Sequence, residues 1–347
     1  LLGNGGQGSV CKARQKSTGR DVAIKVPIGD TQRRPSTRFR FQREIEITAG
    51  LDHRGIVRVF GDCELDDGRI GCVMEFVEGE PFDRWAEGER GRGRVGVRKI
   101  VEALSEVADA IAYAHQRAVM HRDIKPENVL IGKFGDVYLA DWGVAGLVGE
   151  TQARLCGTPN YMAPEMVGGG RIDERTDVYL LGAVLHEVLT GRPRHDAQTA
   201  IAALLSARQS KPFEFDEDVP AELARLANQA CHVDPDARPA DVGAFRGAVK
   251  AFVRHRDAAA LAAEAALRFE QASRLLETSD TLETDARREV DQHLAAAQFG
   301  LEQSLGQWPD NTLALDTLRA LDGLLESQRA RQAELERIAR EHDPRVA

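Results

Sequence analysis

His121-Arg122-Asp123-Ile124-Lys125-Pro126-Glu127-Asn128, followed by Asp141-Trp142-Gly143, brings several reactive side chains into one short stretch. Asp123 can orient a hydroxyl and take its proton. Lys125, two residues on, can neutralise charge on a group in transfer. Asn128 and Asp141 offer the carbonyl and carboxylate oxygens that magnesium prefers. A base, a cation and two hard-metal ligands at this spacing suit phosphoryl transfer from ATP. That chemistry is mostly positioning and electrostatics, so it needs few groups placed well. A lone Asp or Asn is ordinarily a turn or cap residue. The ordered set argues against that reading for Asp123, Asn128 and Asp141.

Two upstream segments fit the same chemistry. Gly3-Asn4-Gly5-Gly6-Gln7-Gly8-Ser9-Val10 has the GxGxxGxV form. Its glycines let backbone N–H groups approach phosphates with no Cβ in the way. The letters alone are weak evidence, because a dinucleotide fingerprint shares them, but there the glycines open a helix. Here they lead into Val10-Cys11-Lys12-Ala13 and then the strand-like Val22-Ala23-Ile24-Lys25-Val26. Lys25 is placed to hold the α- and β-phosphates, and it needs a carboxylate to stay oriented. Glu44 and Glu46 both lie on the intervening helical pattern and point to different faces of it.

Together with Ala163-Pro164-Glu165 downstream, these motifs resemble the eukaryotic-type (Hanks-type) Ser/Thr protein kinase family over about residues 1 to 250. The resemblance implies Mg-ATP (or Mn-ATP) and a protein Ser/Thr hydroxyl as substrates. It favours Glu44 over Glu46 as the partner of Lys25, from the spacing to His53 and Ile56-Val57. It makes Met74 the gatekeeper, with Glu75 to Val77 offering backbone groups to the adenine edge. Val10, Ala23 and Leu130 match the positions that sandwich the ring, and they are equally ordinary core residues. Thr158, in Gly157-Thr158-Pro159, is implied to contact Asp123 and Lys125. Glu165 is implied to pair with Arg238, and Asp177 to brace the catalytic-loop backbone. Lys125 is the Ser/Thr-type residue. Arg175-Thr176-Asp177-Val178-Tyr179-Leu180-Leu181-Gly182 resembles bacterial members that carry a helical extension.

Three positions depart from the pattern. Trp142 replaces the usual Phe, and the matching position on the Glu44 helix is Thr48, smaller than the usual Leu. We expect the large and small residues to compensate, since cores resist overpacking. Arg122 often receives an activation-loop phosphate in such kinases. Yet the residue four before Thr158 is Arg154, so Thr151 is the nearest phosphosite candidate. Cys156 lies beside the substrate region. It reads either as a redox brake favoured by Arg154 or as a small half-buried side chain.

The elements that must position these groups follow from pattern. Residues 1–78 read as strand-rich, with Gly71-Cys72-Val73-Met74-Glu75 a further strand. Arg38 to Leu51 reads as a helix with Phe39, Phe41, Ile45 and Ile47 on one apolar side. Gly79-Glu80-Pro81 breaks the pattern. Beyond it Ile100, Leu104, Val107, Ala108 and Ile111 recur at helical spacing, and Val178 to Leu189 reads as a buried helix. The expected fold is α+β: a two-lobed kinase (residues 1–255, lobes about 1–78 and 79–255) followed by an α-helical extension (256–347).

Composition bounds the rest. A 42% hydrophobic and 29% charged chain is that of a soluble globular protein. No apolar run approaches the ~18 residues of a membrane span. Five scattered cysteines with no CxxC pair argue against a disulfide or zinc scaffold. A net charge of −9 makes nucleic acid a poor partner. The chain opens on Leu1-Leu2-Gly3 with no Met, and we read it as a fragment. Its expected location is the cytoplasm, and the full-length protein can be membrane-anchored outside this segment.

Residues 257–347 hold 18 acidic residues against 10 arginines and no lysine, a net −8. The segment is Ala- and Leu-rich and should be helical. It breaks at Gln307-Trp308-Pro309-Asp310-Asn311, with Asn311 a cap for the next helix. Two readings stay open: a tetratricopeptide-like unit, or a helical hairpin packed on the kinase or serving as a linker. The tail can also dock a partner protein or self-associate. The rival to an active enzyme is a pseudokinase scaffold that acts through ATP binding and this tail.

Overall fold

The structure is a computed structural model that describes residues 3–5, 8–27, 35–147, 156–277 and 284–341. It divides into two compact units, Leu1–Lys250 and Ala251–Ala347.

The first unit begins with strands β1 (Gly3–Gly5), β2 (Gly8–Arg14) and β3 (Asp21–Val26). Helix α1 (Pro35–Ala49) follows, then β4 (Val59–Glu64) and β5 (Ile70–Glu75). The five strands form one antiparallel sheet in the order β1-β2-β3-β5-β4. Register decides which side chains share a face. Val10 lies opposite Lys25, Lys25 opposite Cys72, and Ala23 opposite Met74. Directly opposed residues project to the same side and alternate residues match them. Val10, Ala23, Lys25, Cys72 and Met74 therefore share one face. Phe41 and Ile45 of α1 pack against Cys72 and Met74.

Helix α1 corrects one expectation. Phe39 is 68% exposed, whereas Phe41, Ile45 and Thr48 are buried. Residues 41, 45 and 48 follow the i, i+4, i+7 spacing of one helical face. Two residues of a 100° step put Phe39 on the far side.

Gly79-Glu80-Pro81 is more than a break. It forms a short strand, β6 (Gly79–Pro81), paired with β8 (Val129–Gly132), which pairs in turn with β9 (Val137–Leu139). A Cβ at Gly79 would sit 2.0 Å from the Ile131 carbonyl oxygen, so only glycine permits this pairing. Helices α2 (Phe82–Arg90) and α3 (Arg94–His115) lie before the catalytic stretch, and β7 (Val119–Met120) pairs with β10 (Gly146–Leu147).

The remaining helices are α4 (Pro164–Gly168), α5 (Glu174–Thr190), α6 (Ala200–Gln209) and α7 (Ala221–Ala230). Helix α5 is buried along most of its length, which explains its apolar run. The Asp173 carboxylate accepts from the Arg175 N–H at its start, and left-handed Gly191 ends it. This strand-rich lobe followed by a helical lobe is the two-lobed kinase fold.

Helix α8 (Val242–Glu277) starts in the first unit and continues into the second, so the division falls inside a helix. The second unit adds α9 (Thr284–Gln307) and α10 (Thr312–Glu341). Its core mixes alanines with larger aliphatic side chains: Ala262, Ala265, Ala297, Leu301, Ala314 and Leu321 form one cluster, and Ala272, Val290 and Leu294 another. Buried Ser304 donates to the Ala258 carbonyl at 2.8 Å. Asn311 donates to Ser304 Oγ at 2.9 Å and accepts from the Ala314 N–H at 3.4 Å, capping α10. Trp308 stacks on His255 with ring centroids 4.8 Å apart. No helix among the described residues is long and apolar enough to cross a membrane.

Candidate active site

Lys25 on β3 is buried, and its Nζ lies 2.6 Å from Glu44 Oε1 on α1 and 2.7 Å from Asp141 Oδ1. Glu46 is exposed. Burial works to lower the Lys25 pKa, but Asp141 and Glu44 outweigh it and push the ammonium up to about 12. Asp141 shows the reverse balance. Burial raises it, the Lys25 ammonium overrides that, and its carboxyl ends below the usual range. Both charges persist at neutral pH, so a cation is fixed between two acidic groups from different parts of the chain.

The catalytic stretch leaves β7 and enters a 3-10 turn at Pro126–Asn128. Thr158 Oγ1 donates to Asp123 Oδ1 at 2.9 Å and accepts from Lys125 Nζ at 2.8 Å. Lys125 Nζ also lies 3.3 Å from Asp123 Oδ2. Asn128 Nδ2 donates to the Asp123 carbonyl at 2.8 Å. The four side chains thus form one connected set at the mouth of the site.

Arg122 and Asp141 have positive φ, 67° and 60°, in the left-handed region that costs a non-glycine residue about 1–2 kcal/mol. Asp177 compensates at Arg122. Its Oδ1 accepts from the Arg122 N–H at 2.9 Å, and its Oδ2 accepts from the His121 N–H at 2.9 Å. His115 Nε2 lies 2.8 Å from the same Oδ2. Sequence reasoning missed His115. It sits on α3, 62 residues from Asp177, and no local spacing marks it. Sequence reasoning named His121 within the motif without assigning it a role; its ring packs 4.6 Å from that of buried Trp142, and its Nδ1 accepts the Asp123 N–H at 3.3 Å.

Glu165 and Arg238 form a two-pronged pair at 2.7 and 2.8 Å. Arg238 also donates to the carbonyls of His232, Arg175 and Val233, so its donors are fully used. Thr176 Oγ1 donates to Glu165 Oε1 at 2.9 Å. This is a structural clamp outside the reacting groups.

Thr48 is buried, and its hydroxyl donates to the Glu44 carbonyl at 2.8 Å. Cys156 is half-buried. Gly6, Gln7, Thr151 and Arg154 lie outside the described residues, as does the side chain of Asn4.

The donor set fits a hard divalent cation. Among the described residues, no hydrogen bond engages Asn128 Oδ1 or the second carboxylate oxygen of Asp141. These are oxygen ligands of the kind magnesium takes. An adenine edge also has a match. The Val77 backbone N–H and C=O make no hydrogen bond to other described residues. Beside it, Ala23 and Met74 pair across β3 and β5.

Comparison with known proteins bears on this geometry. A family model described as "Protein kinase domain" matches residues 1–254. The serine/threonine-protein kinase PknB of Mycolicibacterium smegmatis is 35% identical over 250 residues, which is 69% of this chain and 40% of that protein. PknB of Mycobacterium tuberculosis is 32% identical over 250 residues, with the same two shares. PknD of Chlamydia muridarum is 30% identical over 289 residues, 72% of this chain and 30% of that protein. The chain therefore spans well under half the length of these curated relatives.

Proposed function

The chain belongs to the protein kinase family, with relatives named as bacterial serine/threonine kinases, and from that premise we propose that it transfers the γ-phosphoryl group of ATP to protein Ser or Thr hydroxyls. The observation that carries this reading is the assembled pair of clusters: Lys25 between Glu44 and Asp141, and Thr158 bridging Asp123 and Lys125. Lys25, held from both sides, binds phosphate oxygens. Asp123 orients the substrate hydroxyl and accepts its proton. Lys125 lies where negative charge develops on the transferred group. Asn128 and Asp141 hold Mg2+ (or Mn2+), which when bound supplies charge neutralisation to the phosphates. Gly3, Asn4, Gly5, Gly6, Gln7 and Gly8 cover the phosphates. Val10, Ala23, Leu130 and Met74 enclose the adenine, and Glu75 to Val77 present backbone groups to its edge.

Residues 1–255 form the catalytic domain in this reading. Residues 256–347 are a helical extension, read either as tetratricopeptide-like or as a helical hairpin, which docks a partner protein or a second copy. The long helices α9 and α10 and the Asn311 cap between them support a helical extension. The expected setting is the cytoplasm, with any membrane anchor elsewhere in the whole protein.

The test is transfer of labelled γ-phosphate from Mg-ATP to the protein itself and to a generic basic protein, with Asp123→Asn in parallel. We expect the variant to lose about 10²–10⁴-fold in rate, the range for removing a positioned acid–base group. Phosphosite mapping of the labelled protein tests Thr151 at the same time. No label with either protein, both folded, would sink the enzymatic reading and leave a scaffold.

A further inference from the structure

After Thr158 the chain runs Pro159-Asn160-Tyr161-Met162, and its backbone is held by a residue outside the reacting clusters. His195 lies between α5 and α6 and is buried. Its backbone N–H donates to the Asn160 carbonyl at 2.9 Å, and Asn160 Nδ2 donates back to the His195 carbonyl at 3.2 Å. On the ring, Nε2 lies 3.2 Å from the Met162 carbonyl oxygen and 2.9 Å from the Tyr179 hydroxyl. Nδ1 lies 3.2 Å from Ser206 Oγ on α6. The Tyr179 hydroxyl lies 2.7 Å from Ser210 Oγ, which donates to the Cys231 carbonyl at 2.7 Å.

These contacts leave one assignment of the hydrogens. A carbonyl only accepts, so Nε2 carries the ring hydrogen and shares it between the Met162 and Tyr179 oxygens. Ser210 gives its hydrogen to Cys231, so Tyr179 donates to Ser210. Nδ1 then accepts from the Ser206 hydroxyl. The neutral imidazole satisfies both ring nitrogens at once. Burial takes the His195 pKa down to about 4, with the Arg194 charge adding and the Met162 carbonyl opposing, so the ring keeps this form at neutral pH. A buried polar network with every member satisfied specifies one arrangement of the segments it joins.

We infer that His195 is a positioning residue for the protein substrate: it sets the backbone of residues 157–160, the surface a polypeptide meets when its hydroxyl sits at Asp123. This rests on the phosphoryl-transfer reading. The argument is one of place. Residues 157–160 are half-buried, whereas residues 161–163, which follow them, are buried. A protein acceptor is a chain that continues past its hydroxyl, so it runs against the half-buried part. ATP, held from the strands of the first sheet, does not. Thr158 keeps its own bonds to Asp123 and Lys125, and Tyr161 its own bond to Glu187 at 2.6 Å. The reacting groups therefore hold their geometry without the His195 ring, and its loss falls on substrate binding.

The test measures KM and kcat for a generic basic protein at saturating Mg-ATP, and KM for Mg-ATP at saturating protein, in wild type, His195→Phe and His195→Gln. Phe keeps a ring beside Tyr179 and removes both nitrogens. Gln can place an amide N–H where Nε2 stood. The Phe variant should raise the protein KM about tenfold, with kcat/KM lost through KM rather than kcat and the ATP KM unmoved, the pattern of lost substrate binding. Gln should restore most of the loss. Ser206→Ala removes only the donor to Nδ1. It should shift the protein KM the same way by less, and it carries the test if the Phe variant does not fold. Hydrogen exchange over residues 157–163 should quicken in the Phe variant and not in the Gln variant. A lower melting temperature with an unchanged protein KM would overturn the inference and leave His195 a structural residue. Equal loss in the Phe and Gln variants would also overturn it, as would a fall in kcat matched by a rise in the ATP KM. A wild type that transfers no phosphate would sink the kinase reading by itself, and the exchange comparison would still decide whether His195 holds the segment.

Discussion

Thr158 carries more of the site than its small side chain suggests. Its hydroxyl donates to Asp123 and accepts from Lys125, so one oxygen fixes the distance between carboxylate and cation. Without it, two opposite charges 3.3 Å apart are free to collapse onto each other or swing into water. Thr158→Val keeps the shape and removes the bridge. We expect kcat to fall about 10–100-fold, as small misplacements of reacting groups do, while Thr158→Ser retains most of it. Equal loss in both variants would mean that the methyl group matters and the bridge does not. A second residue-scale case is the expected compensation of a large Trp142 by a small Thr48. Both are buried, and the Trp142 Nε1 has no hydrogen-bond partner among the described residues. Thr48→Leu should cost about 1–3 kcal/mol through overpacking, and adding Trp142→Phe should recover most of it. Unchanged melting and activity in Thr48→Leu would end the compensation idea.

At the scale of elements, α3 and α5 are tied to the catalytic loop through one carboxylate. Asp177 of α5 receives two loop N–H groups and the His115 imidazole of α3. Burial works to lower the His115 pKa, but the Asp177 carboxylate outweighs it, with Glu174 and Asp241 adding, and the net is a rise. A histidine whose folded pKa is raised contributes stability that is full below its unfolded value of about 6.5. That contribution is lost as pH rises through the folded value. Asp177 itself is held low, so its share disappears only in acid. His121 is kept neutral by burial and acts in the opposite sense, losing stability as pH falls. The difference between wild type and His115→Gln isolates the one group. Chemical denaturation across about pH 6 to 8.5 should show the wild-type advantage shrinking as pH rises; a constant difference would refute the linkage.

The same clamp shows what the sequence could and could not convey. Residues near one another in the chain, such as Asp123, Lys125 and Asn128, declare their chemistry by spacing. Helix α5 declares itself by an apolar run, Val178 to Leu189, broken only at His186 and Glu187. His115 does neither, because its role exists only once two helices lie side by side. Gly79-Glu80-Pro81 carries break signals, yet tertiary pairing with β8 overrides them. Phe39 belongs to an apolar cluster by composition, but helical phase turns it to solvent.

For the whole molecule, the question is whether catalytic unit and extension fold as one body. Their chemistry differs: the last 91 residues hold −8 of the chain's −9 charge, leaving −1 for residues 1–256. Their cores differ as well. The first unit buries large aliphatic and aromatic side chains, while the second mixes alanines such as Ala262, Ala265 and Ala297 with Leu301, Leu321, Val290 and Leu294, and brings α8 and α9 close at Gly300. That crossing offers a clean probe. A Cβ at Gly300 of α9 would lie 2.9 Å from the Ala265 Cβ of α8, with the Leu261 carbonyl oxygen 3.7 Å away. Gly300→Val therefore forces the helices apart, at a cost of about 1–3 kcal/mol. Units with separate cores commonly unfold in separate transitions. Calorimetry should then show one transition shifted down, the other unmoved, and phosphate transfer preserved at temperatures below both. If instead a single transition moves and transfer falls with it, α8 couples the two cores, and the extension acts as part of the catalytic fold.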